Sequence, residues 1–372
     1  MKKRLLFLSA ACLAIFSCAE PAQEGFSAAM ETEAISEVCD AVTSWQIAHH
    51  GEFPRSTGDW TNGAFYKGIT EWSKVSGQDT YYPFLINIGE KDNWDLLGRI
   101  YHADDVCVGQ MYFDLFERDG DANKVAKVYE RLDYITANYP QSPLQKDDEL
   151  GKNERWSWCD ALFMAPPVYA TAYRLTGEKK YLDFLNFEYG VCTDSLYNKE
   201  YKLFYRDNMR INLVEANGTK QFWARGCGWV FGGLPLVIDN LPADEPSRQY
   251  YIDLFKDMAQ GVLATQDAQG AWHASLLDPD SYPTPENSAS GFFCYGFAWG
   301  IRNGYLDPAV YEEPMTRAWT SLVSAVSTEG KLGFIQPIGA APAEVTKESN
   351  HVYGVGSFLL AGAELYRLAS AK

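Results

Sequence analysis

A chain of 372 residues, 47% apolar and 15% aromatic with 11 Trp, is long enough for one large core or two ordinary domains. Its formal net charge of −17 argues against a nucleic-acid binder, which needs clustered Lys and Arg. The same field repels anions at long range, so an anionic substrate has to be met by a few local cations.

In chain order the N-terminus reads first. Lys2, Lys3 and Arg4 precede an apolar run from Leu5 to Phe16, the pattern of a secretory signal over residues 1–17. The run is too short to span a bilayer. Ile15-Phe16-Ser17-Cys18 resembles a bacterial lipobox, with a lipid on Cys18 after cleavage. Plain periplasmic export is the other reading. Loss of residues 1–17 removes three positive charges and moves the net charge from −17 to −20. The expected location is the periplasm or the outer membrane of a bacterium, with membrane contact only through the lipid.

Cys39, Cys107, Cys159, Cys192, Cys227 and Cys294 follow. Export permits disulfides, but the spacings show no framework, and buried free thiols are expected. No CxxC or Cys/His cluster suggests zinc. No metal or organic cofactor is expected.

Beyond the signal, apolar residues recur at three and four positions, with few alternating β-branched runs. The spacing predicts twelve helices, over 28–50, 61–76, 80–91, 103–118, 122–138, 157–176, 179–193, 223–239, 246–266, 288–303, 308–326 and 349–369. Short polar turns at 72–82, 116–129 and 173–182 carry Gly77, Gly120 and Gly177, each suited to the left-handed position that closes a helix. Such turns make neighbouring helices antiparallel. Six helical hairpins point to an all-α fold, an (α/α)6 barrel in one domain from residue 25 to 372. An open solenoid is the alternative. The irregular segments 140–156, 195–222, 270–287 and 327–348 hold Pro, Gly and aromatic residues and are expected to shape one rim.

Five stretches could carry chemistry. In ERWSWCDALFMAPP (154–167), Asp160 sits among Trp156, Trp158, Leu162, Phe163 and Met164. Burial of an ionised carboxylate there costs several kcal/mol unless it is paired or protonated. A raised carboxyl pKa is what a general acid needs near neutrality. YHADDVCVGQMYFDLF (101–116) sets Asp104 and Asp105 at the start of an apolar helix, where an Asp also serves as cap or dipole partner. QFWARGCGWVFGGLP (221–235) places Trp223, Arg225 and Trp229 around glycines. Arg225 there reads as a structural ion pair or an anion clamp. Trp272 and His273 lie in a loop, and His351 precedes the last helix. A lone Trp or His in such places is as often core as ligand.

Together these stretches resemble glycoside hydrolase family 105, the unsaturated rhamnogalacturonyl hydrolases, related to the unsaturated glucuronyl hydrolases of family 88. WSWCDALFMAPP is similar to the family's W-x-D-A-L-[YF]-M-A-P, and FWARGCGW to its W-x-R-G-N-G-W. YHADDVCVGQ and SLLDPDSYPTPENSASGFF also match, and the resemblance runs from about Trp60 to the C-terminus.

The resemblance implies an (α/α)6 barrel and an acidic oligosaccharide substrate left by a polysaccharide lyase, pectin being the polymer expected. It implies protonation of C4 of a 4,5-unsaturated uronate and addition of water at C5, which need no cofactor. By motif position Asp160 is the general acid/base and Asp104 the second aspartate, with Asp105 ranked below it. Trp158, Trp223, Arg225 and Trp229 fall on substrate-pocket positions, and His273 and Arg206 are further binding candidates. Arg225 would pair with the uronate carboxylate. Three positions depart from the family pattern: Cys227 for Asn, Arg206 for a substrate-contacting His, and Asn287 for Thr. Arg206 suits a more anionic or differently linked sugar.

Two other readings stand beside this one. A non-catalytic glycan-binding lipoprotein would use the same aromatic loops, but binding needs no carboxylic acid in an apolar pocket. Another (α/α)6-barrel uronidase or a lyase is the second.

Overall fold

The computed structural model describes residues 25–53, 55–139 and 155–371. The expected signal, the lipidation candidate Cys18 and residues 140–154 lie outside them.

Fourteen α-helices occur among the described residues: α1 (Thr32–Ala48), α2 (Trp60–Ser76), α3 (Tyr82–Lys91), α4 (Ala103–Val106), α5 (Gly109–Asp119), α6 (Asn123–Asn138), α7 (Ala161–Met164), α8 (Pro166–Thr176), α9 (Lys179–Leu196), α10 (Ala224–Asn240), α11 (Arg248–Leu263), α12 (Asn287–Arg302), α13 (Pro308–Ser324) and α14 (Val352–Ser370). They cover the twelve predicted segments, two of which are broken. The segment predicted over 103–118 is interrupted at Cys107 and Val108. The one predicted over 157–176 begins only at Ala161 and breaks at Ala165. Pro166 supplies no N–H and its ring clashes with the preceding turn, so the break falls where the chemistry puts it. Residues 157–160 leave the helix to pair with a distant loop. Cys159 N donates to Arg206 O at 2.8 Å, and Trp158 bridges to Asp207.

Gly77, Gly120 and Gly177 close α2, α5 and α8 with φ of 68°, 76° and 72°. These are left-handed values that cost glycine little. Each turn reverses the chain, so α2, α5, α8, α10, α12 and α14 form an inner ring, with α1, α3, α6, α9, α11 and α13 outside. The ring closes where the last helix meets the first. A Cβ on Gly68 would lie 2.5 Å from Gly356 O, and one on Gly356 would lie 2.3 Å from Ala64 O. Only glycine allows α2 and α14 to touch backbone to backbone there. That seam makes the fold a closed (α/α)6 barrel and not an open solenoid.

The segment 195–222, expected to be irregular, contains a short antiparallel hairpin. Its strands β1 (Tyr197–Asn198) and β2 (Leu203–Phe204) pair Tyr197 with Phe204. The six cysteines Cys39, Cys107, Cys159, Cys192, Cys227 and Cys294 are free and buried.

The two ends of the inner ring differ. At one end the six inner chains begin, with Trp60, Asp104, Asp160, Arg225, Glu286 and His351 at or just before the helix starts. At the other end Lys74, Glu117, Arg174, Asp239, Arg302 and Arg367 line a cavity of about 380 Å³. Ion pairs knit that far end. Asp114 accepts from Lys67 Nζ at 2.9 Å, Lys74 Nζ at 2.7 Å and Thr70 Oγ1 at 2.5 Å. Asp114→Ala removes one of the two carboxylates that hold Lys67 and Lys74, leaving both on Glu71 at 2.9 and 3.0 Å. It is expected to cost about 3 kcal/mol, at the low end for breaking a buried pair because Lys74 is partly exposed. Denaturant unfolding measures this, and a loss below about 1 kcal/mol would mean the network is effectively solvated.

Candidate active site

Asp160 stands at the N-cap of α7, 8% exposed, without a side-chain cap bond of its own. The apolar neighbours seen in the sequence surround it: Trp156, Trp158, Leu162, Phe163 and Met164 are all buried. Burial raises its carboxyl pKa, and the guanidinium groups of Arg206 and Arg225 oppose that rise. Arg206 Nε lies 3.5 Å from Asp160 Oδ2, an ion-pair distance. Cys159 Sγ lies 3.5 Å from the same oxygen.

Asp104 is in the first turn of α4, with electrostatic coupling to Asp160 across the barrel mouth. Burial, and then the charge of Asp160, push its carboxyl up to about 8. Burial thus makes both carboxyls hold their protons above the ordinary carboxylate range. Asp105 is different. It accepts from Arg99 N at 2.7 Å and Arg99 Nε at 3.0 Å, and it is 1% exposed. It holds the turn before α4 and faces away from the dyad's chemistry.

His102 is a site residue the sequence reading did not single out. Its Nδ1 accepts from Asp104 N at 3.2 Å, and its ring packs 4.9 Å from that of Trp158. Burial and Arg99 hold its pKa down to about 4, so the ring is neutral and adds no charge beside Asp104. His351 is similar. Burial and Arg225 lower its pKa to about 4, and its ring stacks on Tyr353 at 5.4 Å. His351 was noted from the sequence as a weak candidate, whereas His102, between Tyr101 and Ala103, gave no signal of its own.

Arg225 is fully buried at the start of α10. Its Nη1 donates to Gln336 O at 2.9 Å and its Nη2 to Pro337 O at 3.0 Å. The guanidinium lies 4.4 Å from the Trp223 ring and 5.0 Å from the Tyr353 ring. No carboxylate pairs with it among the described residues, so it is not the structural ion pair weighed from the sequence. Trp223 caps the same helix and donates from Nε1 to Gln336 Oε1 at 2.9 Å. Both residues therefore pin the loop that follows α13 over the mouth. Glu286 pins the same loop from α12, accepting from Gln336 N at 3.0 Å and from Ala289 N at 2.9 Å.

Trp229 is wholly buried one turn deeper, against Phe163 at 4.9 Å, Phe292 at 4.7 Å and Trp60 at 5.7 Å. It forms the floor under the mouth. Trp158 is 2% exposed and lies beside the dyad. His273 sits apart from the dyad's contacts. Its Nδ1 meets Tyr282 O at 2.8 Å and Thr284 O at 3.1 Å, and its Nε2 meets Asp267 at 3.1 Å. Both ring nitrogens hold the loop 267–285, which leaves none for a ligand. Cys227, where Asn was expected, is buried with its thiol toward Phe204 O at 3.3 Å. Asn287 donates to Gly333 O at 2.9 Å and is likewise buried.

Glycosyl Hydrolase Family 88 matches residues 35–369 of this sequence. The chain belongs to glycosyl hydrolase family 88. A curated relative, the unsaturated 3S-rhamnoglycuronyl hydrolase of Alteromonas sp., is 36% identical over 347 residues, 88% of this chain and 84% of its own. A solved family 88 glycosyl hydrolase from Bacteroides vulgatus is 31% identical with a TM-score of 0.81, covering 91% of this chain and 99% of that one. A solved polysaccharide lyase is 30% identical with a TM-score of 0.83, covering 92% and 99%.

Membership of family 88 agrees with the resemblance to families 105 and 88 carried by the DALFMAPP and WARGCGW stretches. This family 88 enzyme places Asp104, Asp160 and Arg225 where the inner helices begin. Helix N-termini carry partial positive charge, so that rim favours an anion on a protein whose overall field repels one.

Proposed function

We propose that the enzyme removes the 4,5-unsaturated uronate from the non-reducing end of lyase-generated oligosaccharides, with rhamnose as the next sugar. The carboxyls of Asp104 and Asp160 carry this reading: both are buried where the inner helices begin, and both hold their protons above the ordinary carboxylate range. Asp160 donates its proton to C4, and positive charge develops at C5 and the ring oxygen. Water adds at C5 while the Asp160 carboxylate takes a proton from it. The hemiketal opens, and the aglycone leaves. The proton taken from water has already restored Asp160, so the cycle balances without a cofactor.

Asp104 stays protonated at neutral pH. Arg225, buried without a carboxylate partner among the described residues, supplies an uncompensated positive field near the uronate, and Trp158 and Trp223 wall the site. The rhamnose assignment rests on the curated relative named for rhamnoglycuronyl substrates. The pectin expected from sequence is the competing assignment. The basic and apolar residues 2–16 and the Ile15–Cys18 stretch support export with a lipid anchor, which would place the enzyme where such oligosaccharides arrive.

The test follows the ultraviolet band of the conjugated enol-acid double bond. Purified enzyme is mixed with lyase digests of a rhamnoglycuronan, a rhamnogalacturonan and a glycosaminoglycan. The band is expected to fall fastest with the first. Fastest loss with either other digest would overturn the rhamnoglycuronan assignment. A rising band on intact polymer would instead favour the lyase reading suggested by the structural neighbour. Binding without any change would favour the glycan-binding reading.

A further inference from the structure

We propose that Arg206, locked by Asp207, is the fixed counter-ion of Asp160 and sets the pH range over which Asp160 serves as the acid. It is therefore a positioning residue and not a grip on the substrate's own anionic groups. The inference rests on the dyad reading above.

Three observations carry it. First, Arg206 is held on both sides. Its Nη1 donates to Asp207 Oδ2 at 2.8 Å, while its Nε lies 3.5 Å from Asp160 Oδ2 and makes no other hydrogen bond. Second, Asp207 cannot move. It is 1% exposed, and its other oxygen accepts from Met209 N at 3.0 Å to cap the turn Asn208–Arg210. Third, the backbones of the two segments are laced together. Cys159 N donates to Arg206 O at 2.8 Å, and Trp158 bridges to Asp207. The guanidinium thus keeps its place relative to Asp160 whether or not substrate is bound.

The charge count decides the role. One guanidinium between two carboxylates leaves a group of net charge −1 when both are ionised. Such a group has no field to attract a further anion. Arg225, in contrast, has no carboxylate partner among the described residues. The two arginines therefore divide the work: Arg225 faces the uronate, and Arg206 faces the acid.

The other groups around Asp160 are Arg225 from α10, Asp104 from α4 and the thiols of Cys159, Cys192 and Cys227. Burial pushes all three thiols up, so they stay neutral and do not compete. Removing Arg206 leaves Arg225 as the remaining cation opposing burial. A buried carboxylate stripped of a neighbouring cation holds its proton to higher pH.

The experiment compares pH profiles of kcat and kcat/KM for Arg206→Gln, Arg206→Lys and Asp207→Asn on the unsaturated oligosaccharide. Arg206→Gln is expected to move both limbs upward by at least about one pH unit. Its kcat at neutral pH should fall about tenfold, because a proton held one unit more tightly is donated less readily. Its KM should change less than about threefold. Arg206→Lys, which keeps a charge, should stay nearer the wild-type profile. Asp207→Asn keeps the cap on Met209 N and removes the anion that offsets Arg206, so it should shift the limbs downward, opposite to Arg206→Gln. Unmoved limbs with a KM raised about tenfold would make Arg206 a substrate ligand and overturn the proposal. If Arg206→Gln does not fold, the other two variants decide it. Failure of the underlying dyad reading would look different, as substantial turnover by an Asp160→Asn variant.

Discussion

Asp160→Asn is expected to lower kcat by about 10²–10⁴ while leaving the protein folded, the range a positioned general acid contributes. The carboxylate is enclosed by Trp156, Trp158 and Phe163, and no side-chain cap bond ties it to its own helix. Asn fills the same volume, so the pocket keeps its shape. The amide cannot give up a proton to C4 or take one from water. KM should change little, because the amide keeps the size and polarity of the carboxyl and leaves the walls of the site in place. Stability should hold or rise slightly, since a raised carboxyl pKa reports a group that folding makes harder to ionise. Loss of the ultraviolet band gives the rate, and thermal unfolding checks the fold. A variant within about tenfold of wild type would remove Asp160 from the chemistry.

What the sequence disclosed follows from the range of the forces involved. The glycine turns after α2, α5 and α8 are local, and each was legible because φ near 70° suits glycine. Asp160 was legible because its burying residues are its neighbours in sequence. The start of α7 was not. Nothing within the segment Trp156–Asp160 says that its backbone pairs with residues 206 and 207. The prolines after Ala165 did announce a break, but the apolar run overrode them in the helix prediction. Arg206 was noted as a departure from the family pattern, and its contact with Asp160 spans a loop no periodicity describes. His273 shows the converse. Its place beside Trp272 looked like a binding loop, yet its partners at 267, 282 and 284 make it a loop staple. Trp229, flanked by glycine, looked like a stacking platform. The glycines instead let α10 approach its neighbours: a Cβ at Gly233 would meet Leu162 O at 2.5 Å, and that closeness buries the indole.

Asp104→Asn should shift the enzyme in the direction opposite to Arg206→Gln, and that opposition is the sharper test of coupling between the two carboxyls. Asp104 keeps its proton up to about pH 8 because burial and the Asp160 charge both resist its loss. With Asn there, Asp160 faces Arg206 and Arg225 without a second carboxylate, and it ionises at lower pH. Turnover at neutral pH should fall about 10²-fold and recover in part as the pH is lowered. Stability carries the same information by linkage. The Asp104 carboxyl is raised from the ordinary 3.8 to about 8, so the folded state binds a proton the unfolded chain releases. Its contribution to stability is full below about pH 4 and is lost as the pH rises through about 8. Asn has no such dependence. The variant should match wild type near pH 4 and become progressively more stable than it toward pH 8, read as a widening gap in Tm. A gap that stays constant over that window would mean that Asp104 ionises normally in the folded protein.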